Sequence, residues 1–170
     1  MNYDLIELTS FWSIWYWIVM VVAWSMTAHW TLGVPHDAVI AAERKGGVFA
    51  QQCEDMAYIN AQRLVYYFDK GGVYIIGFVA FFISSLGTAG YFFHIEFFQA
   101  MFILLAPLVL PNVFSVRLAY RLKTQQPVGE DLLKILFRRR LWNQVIGMVA
   151  IVGATIAAII HQLTNNNLFF

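Results

Sequence analysis

Of the chain's 170 residues, 60% are hydrophobic and only 12% charged, with a net charge of +1 and a mean hydropathy of +0.63. Soluble domains carry about 25% charged residues, so this composition excludes an ordinary globular domain and points to a chain that crosses a membrane several times. Near-neutral charge argues against nucleic acid as a partner, because neutralising phosphates needs a concentrated basic face.

The single Cys53 excludes an internal disulfide, a CxxC pair or a thiolate cluster, and reads as a small apolar filler. At the N-terminus Asp4 and Glu7 stand where a signal peptide would carry basic residues, so the first apolar segment is expected to stay in the mature protein. Residues 11–34 predict the first span. Phe11, Trp12, Trp15, Tyr16 and Trp17 form an aromatic belt at its start, and Pro35 breaks the pattern at its end. A short helix is predicted over 36–45, with Asp37 near its start, Arg44 and Lys45 near its end, and Gly46-Gly47 stopping it. Over 49–69 the residues Phe49, Cys53, Met56, Ile59, Leu64 and Tyr67 recur at three- to five-residue spacing, the pattern of an amphipathic helix lying on the bilayer or against another subunit. Gly71-Gly72 is then expected to release the chain into a second span over 73–90.

Residues 73–113 are apolar almost throughout, and apart from tyrosine their only ionisable side chains are His94 and Glu96. A single helix of that length would measure about 60 Å, roughly twice the hydrocarbon thickness of a bilayer. The run therefore predicts a helical hairpin that folds back at Ser84, Ser85, Gly87, Thr88 and Gly90, followed by a third span over 93–116 and a helix continuing to about Lys123. Pro107 and Pro111 predict a kink, with Asn112 and Ser115 as candidates to satisfy the freed carbonyls. After a loop at 125–129, Glu130 and Asp131 open a helix favourably for its dipole, Arg138, Arg139 and Arg140 follow two turns later, and the fourth span covers 141–161. Gly147, Ala150, Gly153, Ala154, Ala157 and Ala158 give that span small residues at four-residue spacing, suited to close helix packing.

All eleven Lys and Arg fall between spans one and two (35–72) or between spans three and four (117–140). The positive-inside rule then puts both segments in the cytoplasm and both termini in the periplasm, in agreement with an even number of spans. The expected fold is an all-α integral membrane protein: one four-helix domain over 1–170, with a central helical hairpin and an amphipathic cytoplasmic helix.

For chemistry, His94, Glu96 and His161 are expected at the same membrane face, where two imidazoles and a carboxylate are plausible metal ligands, or the histidines haem ligands. Against this, a carboxylate at a helix N-terminus beside the interface needs no ligand to explain it. His29 falls at the opposite end of the first span, and His36 is expected to be solvated. Arg138, Arg139 and Arg140 are suited to anionic lipid headgroups, although as a topogenic cluster they need no such role. GxSxG, HExxH, Walker A and dinucleotide-binding GxGxxG sequences are all missing.

The segment Phe11-Trp12-Ser13-Ile14-Trp15-Tyr16-Trp17, with Ala28-His29-Trp30-Thr31-Leu32-Gly33-Val34-Pro35 and Arg44-Lys45-Gly46-Gly47, resembles an uncharacterised family of small bacterial inner-membrane proteins. Some of that family carry the label of a component of the Suf iron–sulfur assembly complex. One cysteine gives this chain no thiolate set for such a cluster, so the resemblance implies chiefly a location, the bacterial inner membrane. The expected role is a non-catalytic accessory, assembly or structural subunit of a larger membrane complex, respiratory or photosynthetic, with membrane lipids and other membrane subunits as partners. No cofactor is predicted, and the competing expectation is a small metal- or haem-binding redox protein, with a pigment also compatible with the aromatic surplus.

Overall fold

The computed structural model describes residues 14–166, with side chains to 163. In chain order it comprises α1 (Ile14–His29), a two-stranded antiparallel hairpin of β1 (Trp30–Thr31) and β2 (Val34–Pro35), α2 (His36–Lys45) and α3 (Gly47–Gly87). A π-helical turn (Thr88–Phe92), α4 (Glu96–Gln125) and α5 (Glu130–Asn166) complete it. Among the described residues, three stretches are long and apolar enough to cross a membrane: Gly47–Phe92, Glu96–Gln125 and Glu130–Leu163. The 16 residues of α1 are apolar but reach only about 24 Å, short of about 30 Å of hydrocarbon. The expected beginning of that span, Phe11 and Trp12 included, lies outside the described residues.

Three local expectations are corrected. The first helix ends at His29 rather than running to 34, because Leu32 (φ 53°) and Gly33 (φ 72°) both adopt left-handed backbone and reverse the chain. The reversal pairs Trp30 with Pro35 and Thr31 with Val34, and it buries Leu32 and Val34. Gly71-Gly72 does not separate an amphipathic helix from a span, since α3 continues through both as one helix of 41 residues. A glycine weakens a helix by only about 1 kcal/mol relative to alanine, which flanking tertiary packing overrides. Finally, the hairpin does not turn at 84–90. Ser85 Oγ bonds back to the Phe81 carbonyl, and the reversal falls at 93–95, where His94 takes φ 56°.

Two cores result. At the basic end, Leu32 and Val34 of the β-turn, Val39 and Ala42 of α2, Cys53, Ala57, Ala61 and Val65 of α3, Leu118, Ala119 and Leu122 of α4, and Leu132 and Leu136 of α5 form a helical head. Toward the opposite end, Tyr16, Met20 and Trp24 of α1 pack on Ala100 and Leu104 of α4 and on Ala150, Ala154 and Ala158 of α5. The apolar C-terminal half of α3 lies outside this second core, with Val73, Tyr74, Ile76, Phe78 and Phe81 exposed. α4 runs through Pro107 and Pro111 without interruption. Asn112 Nδ2 donates to the Leu108 carbonyl and Ser115 Oγ to that of Pro111. Those are not the carbonyls of Ile103 and Pro107, which lose their i+4 partners to the prolines.

Candidate functional site

The site grows from the register of α5. Leu132, Leu136, Arg139, Asn143, Gly147, Ala150, Ala154 and Ala158 recur every three or four residues and are all buried. Residues at that spacing share one side of a helix, so the seam that packs small residues in the C-terminal half of α5 carries Arg139 and Asn143 in its N-terminal half. Arg138, Arg139 and Arg140 are one run in the sequence but point three ways, because successive residues are turned by about 100°. Arg138 is exposed, Arg139 is only 8% exposed, and Arg140 is half-buried.

Arg139 Nη2 donates to the Pro111 carbonyl at 2.6 Å, and its guanidinium carbon stands 5.2 Å from the centroid of the Phe114 ring. Its Nε is buried without a hydrogen-bond partner among the described residues. Asn143 Nδ2 donates to the Thr27 carbonyl at 3.0 Å, tying α5 to α1. Arg140 Nη1 donates to His36 Nε2. An arginine N–H can only donate, so this contact requires His36 Nε2 to be unprotonated. His36 is therefore not simply solvated, and its ring also stands edge-on to Phe137.

Burial first, and the Arg140 charge second, push the His36 pKa below the ordinary 6.5, with Asp37 opposing them. The folded protein then holds the proton less tightly than the unfolded chain. Stability is unaffected above the unfolded pKa of about 6.5 and falls as pH drops from there through the lowered folded value. The thermal midpoint is expected to decline as the pH falls below about 6.5, and the decline should shrink in His36→Gln. A decline of the same size in that variant would remove His36 as its cause.

Between α4 and α5 the basic end opens into a cup of about 430 Å³, lined by Arg121, Lys134, Arg138, Arg139 and Trp142 over Leu118 and Ile135. Lys134 pairs with Glu130 at 3.1 Å on the exposed surface, and Arg121 Nε donates to Gln125 Oε1. Among the described residues neither Arg138 nor Arg139 has a carboxylate within ion-pair distance. A second, apolar groove of about 520 Å³ follows the same two helices from Trp142 away from the basic end. Ala150, Gly153, Ala154 and Ala157 line this groove; Ala150 and Ala154 are also buried in the second core with Ala158, and Gly147 stands against the Trp24 indole.

The loop joining α4 to α5 is fixed from α3. Tyr58 Oη donates to the Pro127 carbonyl at 2.6 Å, and Gly129 N donates to Glu54 Oε1 at 2.5 Å. Tyr120 Oη donates to Asp69 at 2.5 Å, and Lys123 pairs with the same carboxylate at 3.5 Å. These contacts clamp the cup's rim to the head.

At the opposite end, His94 is exposed in the turn before α4, Glu96 stands in the first turn of α4, and His161 is half-buried near the end of α5. Among the described residues no three His, Cys, Asp or Glu side chains are grouped to hold a metal ion. His29 stands edge-on to Trp30. The chain has no match among protein-family models, curated proteins or solved structures.

Proposed function

We propose that this chain is a non-catalytic accessory or scaffolding subunit of a larger bacterial inner-membrane complex, with four spans, both termini periplasmic and the head in the cytoplasm. The orientation follows from the positive-inside rule, since every Lys and Arg falls in the two segments that build the basic end. The observation that carries the role is one stripe along α3. Ile59, Tyr66, Val73, Gly77 and Phe81 recur at seven and then four residues, share one side of the helix and are all exposed.

Lipid accounts for the outer part of that stripe but not for Ile59 and Tyr66, which lie on the head. A membrane subunit with its own cytoplasmic portion covers both. A photo-crosslinking amino acid placed at Tyr66, and separately at Val73, is expected to capture the same membrane protein in native membranes, identified by mass spectrometry. Lipid adducts alone at Val73, with nothing at Tyr66, would overturn the subunit role.

A further inference from the structure

We infer that the cup and groove between α4 and α5 form a binding site for one anionic phospholipid, with its phosphate among Arg121, Lys134, Arg138 and Arg139 and an acyl chain in the groove. Three features meet there. First, the cup gathers four cationic side chains, and three of them, Arg121, Arg138 and Arg139, have no carboxylate partner among the described residues. Second, Arg139 is more than nine-tenths buried while lining the cup, and its Nε has no hydrogen-bond partner among the described residues. A buried cation left without a counter-charge is costly, and a phosphate diester supplies both the missing acceptor and the missing charge.

Third, the cup and the groove share Trp142, which is 57% exposed. An indole at that junction suits the boundary between headgroups and hydrocarbon. Along α5 the groove runs from Trp142 to Ala157, a distance of about 22 Å against about 15 Å of hydrocarbon in one leaflet. Its walls, including Phe102, Pro107, Leu110, Val149 and Gly153, are apolar. A soluble phosphate would use the cup and leave the groove unexplained. A zwitterionic lipid would fill the groove but bring a choline or ethanolamine cation among the arginines. Basic pockets between spanning helices on the cytoplasmic side are the ordinary setting for anionic headgroups.

The test uses the intact protein in a neutral detergent, with phosphatidylglycerol, phosphatidylcholine and inorganic phosphate as probes, read by native mass spectrometry and thermal midpoint. Phosphatidylglycerol is expected to bind about tenfold or more tightly than phosphatidylcholine, a preference set by the charges at the cup. The double variant Arg121→Gln/Arg138→Gln, which alters two exposed side chains, should erase that preference. Gly153 has open space where a side chain would stand, so Gly153→Phe should weaken phosphatidylglycerol about tenfold by filling the groove. Three results would overturn the site: equal binding of the two lipids, retention of the preference in the double variant, or indifference to Gly153→Phe. Inorganic phosphate raising the midpoint as far as phosphatidylglycerol would reassign the cup to a soluble anion and overturn the lipid as its occupant. None of these outcomes depends on whether α3 has a partner subunit.

Discussion

Gly90→Ala is expected to destabilise the protein by about 2–3 kcal/mol, a large loss for the addition of one methyl group. A Cβ at position 90 would stand 2.7 Å from the Gln99 backbone nitrogen and 3.0 Å from its Cα. Both are main-chain atoms, so no rotamer change relieves the clash, and α4 must move away from the π-helical turn. The same shift breaks the bond from Gln99 Nε2 to the Gly90 carbonyl, now 2.8 Å. Gly77→Ala is the matched control, because its added methyl meets nothing within 4 Å and should be neutral or stabilising by up to about 1 kcal/mol. Thermal or denaturant unfolding in a mild detergent measures the difference. Equal midpoints for the two variants would mean that the hairpin arms are not in close contact at Gly90.

Leu122→Ala is expected to cost about 2–5 kcal/mol, the range for removing a fully enclosed leucine. Leu122 has no exposed surface and stands in the head core with Leu132 and Leu136. Val152→Ala, on the outer side of α5 where the side chain is 57% exposed, should change stability by less than about 0.5 kcal/mol. There the truncated side chain merely exchanges one apolar contact with lipid or detergent for another. Denaturant titration of both variants is the measurement. If Val152→Ala costs as much as Leu122→Ala, the outer side of α5 is packed against protein rather than lipid.

The apolar segments, the short helix over 36–45 and the loop after Gln125 were legible in the sequence because each rests on a local signal: hydropathy, a dipole-matched charge, or a turn residue. Where the sequence misled, one residue type had two physical uses. Gly71, Gly72, Gly87 and Gly90 read as breakers because glycine tolerates any backbone. In the structure all four are helical, and at Gly90 the missing side chain admits the backbone of α4. The reversal was hidden because His94 supplies it at positive φ, a conformation uncommon for any residue but glycine.

The candidate site was half legible. The arginine run was visible, but its division among three directions needed the buried seam of α5 to be extended upstream from Ala158 through Asn143 to Leu132. That periodicity is present in the sequence and was masked by the polarity of Arg139 and Asn143. Arg121 and Lys134 carried no signal, because nothing local says that the ends of α4 and α5 face each other across the cup.

The continuity of α3 through Gly72 has a mechanical consequence. A helix of 41 residues is a rod of about 60 Å, and turning it by about 10° around its middle moves each end by about 5 Å in opposite directions. Its first half is built into the head, and its last turns lie against α4 beside the hairpin tip. A push on Ile59 or Tyr66 in one half of the rod is therefore delivered as displacement at its far end, with no break in the helix between to absorb it.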